Sequence, residues 1–291
     1  MSKIMKRAYK CLVDFEKVYD FMLKNYEVDW KNGLPATAFE YSQLLYWTDY
    51  KQSHRIAVWE DKGHIVGLCW YRSQLGEAYF NLAPSCETII PDMLEHAQKR
   101  LSKEDGSLSL CLYKSQKKLI EEAQKQGFEL VGENPEGIYD FSKDTLNHEL
   151  PQGYHYKSIS DCDRYELMAA TWRGFDNLGE PDGSVEREYH LDAAPHRTPD
   201  LDVVIVSGTG EYACYAMMWF VPENRLAYLE PFCTEPKHRR KGLAVAALSE
   251  LVRKTKPLGA THMTGGANEF YFKVGFDPII TLTKWKKPNA T

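Results

Sequence analysis

Apolar residues recur along this chain in two alternating rhythms, and the order of the rhythms is the same in both halves. Helical spacing comes first, as amphipathic stretches over 13–25 and 37–47 and again over about 161–173. A short apolar run that reads as a strand follows, 55–60 in the first half and 202–207 in the second, and each ends at a turn containing glycine, Gly63 or Gly208 and Gly210. A long strand comes next (64–73; 211–221), then a strand opening on Ala78-Tyr79 or Ala227-Tyr228. A loop leads into a helix whose apolar stripe is spaced i, i+4, i+8: Met93, Ala97 and Leu101, then Leu243, Ala247 and Leu251. The pattern then predicts a strand (108–113; 260–264), a short helix, a Gly-Phe corner and a closing pair of strands.

The two halves keep nearly one offset. Ala78-Tyr79 returns 149 residues later as Ala227-Tyr228, the helix stripe returns after 150, and Lys125-Gln126-Gly127-Phe128 returns after 148 as Lys273-Val274-Gly275-Phe276. Collinear matches at one period argue for a duplicated unit. Hairpins early and a crossover helix later predict an α+β fold with α/β sandwich-like layering, a mixed and mostly antiparallel sheet flanked by helices, present as two tandem domains. The stretch 147–153 carries Pro151 and Gly153 and little apolar pattern, so the predicted domains are 1–149 and 150–291.

Composition narrows the function classes. The net charge is -5 with no long Lys/Arg-dense segment, which argues against a nucleic-acid surface and suits a cationic small substrate. Charges interrupt every apolar run near the N-terminus, and no window approaches eighteen apolar residues, so neither a signal peptide nor a membrane span is expected. The seven cysteines are scattered without a C-x-x-C, and no His stands at ligand spacing from them. The expectation is reduced, mostly buried thiols in a cytoplasmic protein without a metal.

The candidate chemistry lies between the second Ala-Tyr strand and its helix, in Arg239-Arg240-Lys241-Gly242-Leu243-Ala244. Glycine permits a tight turn there, and the first N–H groups of a helix lack internal partners and carry partial positive charge. An anion such as a pyrophosphate is the natural occupant. Three cations at a helix N-terminus oppose the macrodipole, which makes sense with an anion between them; a solvated basic loop is the other reading.

This R-x-x-G-x-A pattern resembles the acyl-CoA loop of the GCN5-related N-acetyltransferases (GNAT), and Tyr271-Phe272-Lys273-Val274-Gly275-Phe276 resembles the family's Y-x-K-x-G-F segment. The resemblance covers most of 150–291 and implies acetyl-CoA as cosubstrate. Main-chain N–H groups of Arg240, Lys241, Gly242, Leu243, Ala244 and Val245 would then hold the pyrophosphate, with Arg239 adding attraction. Phe232, Cys233 and Thr234 would splay from the neighbouring strand and hydrogen-bond the pantetheine arm. Tyr271 would lie near the CoA sulfur. Many members carry an Asn seven residues before that Tyr; here the position is Thr264, and Asn268 is the nearer candidate contact.

Amide formation from a thioester needs a polarised carbonyl, a neutral amine and a proton for the departing thiolate. Tyr271 is the candidate acid, with packing of the Gly-Phe corner as its alternative role. Glu230 is the candidate base, with a solvated or Arg-bound strand-end carboxylate as its alternative and a water chain as another route. His238 is expected to face solvent and His262 to be a core residue. Cys233 is not expected to form an acyl-enzyme.

In the first half, residues 83–91 hold no glycine and no cation where the basic loop would be, and Pro84 and Pro91 lack N–H groups. Ala123 stands where the second half has Tyr271. The first copy is therefore expected to keep the fold without a CoA site. Its aromatic opening, from Tyr19 through Trp30, Phe39, Tyr46 and Trp47 to Tyr50, lines either an amine pocket or a plain core. No G-x-S-x-G or Walker loop occurs. The expected activity is transfer of an acetyl group from acetyl-CoA to a primary amine of a small molecule or peptide by direct attack. The alternative is an acyl-CoA-binding sensor or scaffold without turnover.

Overall fold

A computed structural model describes residues 4–45, 47–181 and 189–288 of the chain, so Tyr46 lies outside the described residues. The chain folds as two compact units, Met1–Glu136 with Pro278–Thr291, and Gly137–Asp277. The first unit runs β1 (Met5–Ala8), helices Cys11–Lys24 and Ala36–Leu44, β2 (Ala57–Asp61), β3 (His64–Trp70), β4 (Glu77–Leu82), helix Ile90–His96, β5 (Ser109–Tyr113), helix Lys117–Lys125 and the start of β6 (Glu129–Asp140). The second runs from the end of β6 through β7 (Tyr154–Lys157), helix Arg164–Gly174, β8 (Val203–Ser207), β9 (Tyr212–Val221), β10 (Leu226–Thr234), helix Leu243–Thr255, β11 (His262–Thr264) and helix Glu269–Lys273. The last strand is β12 (Asp277–Lys286). Among the described residues, no helix is long and apolar enough to cross a membrane.

Strand order in the first unit is β1-β2-β3-β4-β5-β12, and in the second β6-β11-β10-β9-β8-β7. Pairing is antiparallel except for β4 with β5 and β10 with β11, the two pairs that each follow a crossover helix. The helix stripes pack as their spacing requires: Met93, Ala97 and Leu101 are buried, and so are Leu243, Ala247 and Leu251. In the first unit that helix ends in a π turn over Ala97–Leu101.

The expected boundary at 149/150 differs from the observed units. The last strand of each sequence repeat serves the other unit: Ile138–Asp140 of β6 pairs with β11, and Leu282–Trp285 of β12 pairs with β5. Pro151 and Gly153 instead mark a turn inside the second unit, where Tyr154 N–H donates to Pro151 O (3.3 Å) and Gly208 N–H to Gly153 O (2.7 Å). His148 N–H is fastened to Ser249 Oγ on the Leu243–Thr255 helix (3.0 Å). Proline and glycine report a local break in regular structure, and sheet partnership is decided elsewhere.

β8 starts opposite Ala216, so β9 runs past it to Val221, and side chains that precede β8 complete the edge. Asp202 accepts from Met218 N–H (3.0 Å), Tyr215 hydroxyl (2.9 Å) and both Arg197 terminal nitrogens (3.0 and 2.9 Å). Thr198 Oγ1 accepts from Phe220 N–H (3.1 Å) and donates to Met218 O (2.8 Å).

His262 on β11 is buried, as its apolar strand suggests. Burial pushes its imidazole down from 6.5 to about 4. The unfolded chain therefore takes the proton first as pH falls, so this contribution to stability is present above 6.5 and is lost toward 4. The melting temperature should fall more steeply across that window for the wild type than for His262→Gln. Parallel melting curves would show that His262 carries no such linkage.

Candidate active site

β10 and β11 are paired over only two positions, Leu226 with His262 and Ala227 with Met263. Beyond them Leu229 N–H turns to Thr264 Oγ1 (2.8 Å), which satisfies a main-chain donor at the point where the strands part. On its other edge β10 carries a bulge: Glu230 and Pro231 stand opposite Met217 alone before pairing with β9 resumes at Phe232, Cys233 and Thr234. A bulge re-aims a strand. Among the described residues, the ladder between β10 and β11 does not continue past Ala227, so the later part of β10 is paired on its β9 side.

The chain then passes through a 3-10 turn, Pro236–His238, into the loop. Arg240 (φ 63) and Gly242 (φ 82) adopt left-handed backbone. A Cβ on Gly242 would meet only Pro151 Cγ, at 3.7 Å, so the glycine is required by its conformation and not by crowding. Gly242 is the N-cap of helix Leu243–Thr255 and provides no side-chain cap. The first i→i−4 bond runs from Ala246 N–H to Gly242 O (3.0 Å), so the N–H groups of Leu243, Ala244 and Val245 have no acceptor within the helix. The Leu243 side chain is buried, and Ala244 and Val245 are half-buried, so these residues offer the loop their main chain.

The cations are placed differently from one another. Arg239 donates to Thr234 O (3.0 Å) and Gly174 O (2.9 Å) and pairs with Asp176 (2.9 Å), which clamps the end of β10 to helix Arg164–Gly174. Lys241 donates to the Tyr154 hydroxyl (3.1 Å), and Arg240 is exposed. His238 does not face solvent as expected: it is 6% exposed, because Tyr154 hydroxyl meets its Nδ1 (3.0 Å) and packs edge-on against its ring. The sequence places Tyr154 far from this loop, so no local signal marks the pairing.

The third element is the Tyr271 corner. Asn268 caps helix Glu269–Lys273, its Oδ1 accepting from Phe270 N–H (2.9 Å). The Tyr271 ring lies 5.1 Å from Phe276, 5.5 Å from Phe270 and 6.3 Å from Phe232 on β10. A Cβ on Gly265 would stand 2.7 Å from the Phe276 ring and 2.8 Å from the Tyr271 ring, so glycine there lets both rings cross the end of β11. Burial pushes the Tyr271 hydroxyl well above the usual phenol range, and the Glu230 carboxylate adds to the shift. Glu230 and Tyr271 therefore share one electrostatic neighbourhood. Cys233 is buried, and burial likewise raises its thiol, which disfavours a thiolate nucleophile.

Residues 164–276 match the acetyltransferase (GNAT) family. This stretch is a GNAT domain. It takes in the opening of β10, the loop at 239–245 and the Tyr271 corner. The chain as a whole has the fold of tandem GNAT proteins. A tandem GNAT protein from the clavulanic acid biosynthesis pathway matches with TM-score 0.62 at 14% identity, over 99% of this chain and 100% of that one. A GNAT-family acetyltransferase from Colwellia psychrerythraea matches with TM-score 0.62 at 12% identity, over 98% and 100%. A GCN5-related N-acetyltransferase from Sphaerobacter thermophilus matches with TM-score 0.58 at 14% identity, over 98% and 95%. No curated protein matches the chain by sequence.

The first unit repeats the GNAT fold with the corresponding opening closed by its own chain. Gln116, buried, donates to Phe80 O (3.0 Å) and accepts from Tyr113 N–H (3.0 Å), bridging β4 and β5 where they part. Leu82 N–H donates to Asn32 O (3.0 Å), and Asn81 Nδ2 to Leu34 O (2.8 Å). The main-chain groups at the end of β4 are thereby taken. Ala123 is buried in helix Lys117–Lys125. Of the aromatic opening, Tyr19, Trp30, Phe39 and Tyr41 are core, while Trp47 and Tyr50 are exposed. One further repeat match escaped the sequence reading. Trp70 and Trp219 are 149 residues apart. The indole of Trp70 donates to Asn81 Oδ1 (3.1 Å) and that of Trp219 to Glu230 O (3.0 Å).

Proposed function

We propose that the second unit transfers an acetyl group from acetyl-CoA to a primary amine of a small molecule or peptide by direct attack. The observation that carries this reading is the continuity of three features: the β10 edge past the end of its ladder with β11, a loop with free N–H donors at its helix end, and the Tyr271–Glu230 pair beside the opening. Main-chain donors and acceptors along such an edge suit an amide-rich pantetheine arm, and N–H groups at a helix start suit a pyrophosphate. Asn268 and the loop cations Arg240 and Lys241 flank that path. Bound there, acetyl-CoA supplies a thioester carbonyl and a thiolate leaving group.

The chain's own residues supply proton handling. Glu230 accepts the proton that the attacking amine loses. Tyr271 keeps its proton until late, because burial and the Glu230 charge both oppose a phenolate. Once Glu230 is protonated, the second of those causes disappears. Tyr271 then becomes a stronger acid at the step in which the thiolate departs. The seven free thiols fit a reducing compartment, the cytoplasm.

The test is a library of primary amines incubated with enzyme and acetyl-CoA, read by free thiol release. At least one amine should give turnover that requires both substrates. Saturable acetyl-CoA binding with no thiol release across the library would sink the enzyme reading in favour of a sensor. Because Gln116 and Asn32 fill the first unit's opening, calorimetric titration with CoA should return one site per chain. Two equivalent sites would show that the closure is not maintained.

A further inference from the structure

The first unit holds a recess at the other end of its central parallel pair. β4 and β5 pair at Glu77 with Ser109 and at Ala78 with Leu110, their N-terminal ends, and a cavity of about 650 Å³ opens beside them. Its lining includes Glu77, Lys103, Ser107, Ser109, Lys284 and Lys286. Lys284 and Lys286 stand two apart on β12 and so share a face.

The charges do not cancel. Glu77, the only acid in the lining, is spent on Lys284 (2.8 Å) and on the Tyr79 hydroxyl (3.4 Å). Lys103 and Lys286 enter no ion pair among the described residues. The Lys103 stem lies directly over Gly76, where a Cβ would stand 2.6 Å from Lys103 Cε, so the side chain is held across the rim. Asp105 on the neighbouring turn is outside the lining; its carboxylate accepts from Ser107 N–H (2.8 Å) and from the Ser107 side chain, and it attracts Lys103. A chain of net charge -5 thus sets three lysines against one carboxylate in the lining of one recess, beside the buried Ser109.

We propose that this recess binds a small metabolite bearing a phosphate monoester. Such a group carries about two negative charges near neutral pH and three acceptor oxygens. Lysine ammonium groups meet phosphate as point charges without demanding planar geometry. The site is separate from the opening at the C-terminal end of β4, which the chain itself fills.

The probe is inorganic phosphate, titrated by phosphorus NMR against chloride at matched ionic strength. The background is Gly242→Glu, which removes the second unit's anion loop from the measurement. Saturable binding is expected, weakened at least about tenfold by Lys103→Ala with Lys286→Ala, since a charged hydrogen bond is lost at each. Both lysines are exposed and form no close ion pair among the described residues, so the melting temperature without phosphate should change little. Absence of saturable binding, or an affinity indifferent to the two lysines, overturns the proposal.

Discussion

Replacing Tyr271 by Phe is expected to lower turnover by about 10²–10⁴-fold, the usual contribution of a positioned general acid, with little change in acetyl-CoA affinity. The substitution removes one hydroxyl and leaves the ring contacts with Phe232, Phe270 and Phe276 in place. Packing of the corner is therefore preserved, and what is lost is the proton that burial and Glu230 hold on the oxygen. A group that acts only in the transition state lowers kcat and kcat/KM together. A structural role predicts near-normal turnover, because Phe fills the same space beside Gly265. The measurement is steady-state kinetics with an acceptor for which chemistry limits the rate. A Phe variant within about threefold of wild type, far short of a general-acid loss, would reduce Tyr271 to packing and assign the proton to water.

Gly242→Glu should abolish the stabilisation that acetyl-CoA confers on the folded chain. Ligand at a hundredfold over its dissociation constant adds about 2.7 kcal/mol, seen as a raised melting temperature. The new carboxylate stands at the N-cap of helix Leu243–Thr255, beside the free N–H groups of Leu243, Ala244 and Val245, and competes for them while repelling an approaching phosphate. Its surroundings are open, with only Pro151 Cγ near, so the apo protein should remain folded. The left-handed backbone at φ 82 adds strain of about 1–2 kcal/mol for any side chain. Gly242→Ala is the control, since it carries that strain without the charge and should keep most of the ligand response. A Glu variant stabilised as strongly as wild type would place the acyl-CoA elsewhere.

What the sequence does not show at three positions is a long-range partner. Arg239 reads as a loop cation, and it is a clamp because Thr234 O, Gly174 O and Asp176 converge on it. His238 reads as a surface residue, and it is buried because Tyr154, 84 positions away, reaches it. Thr264 reads as a departure from a family pattern, and its hydroxyl serves Leu229 N–H where β10 leaves β11. None of these partners has a spacing that periodicity or a motif could reveal.

The chain's own pattern determined that a fold is present twice, where the strands and the crossover helices run, and where a glycine permits a tight turn before a helix. Those are properties of short stretches: side-chain period sets which face is buried, and backbone sterics set which residue can turn. Only the tertiary structure decided which sheet each final strand joins, since β6 and β12 carry no mark of their partners and cross to the other unit. It also decided that Gln116 closes one opening while, among the described residues, the β10–β11 ladder stops at Ala227. A hydrogen bond across two strands depends on atoms brought together by the whole sheet, and sequence separation places no limit on that distance.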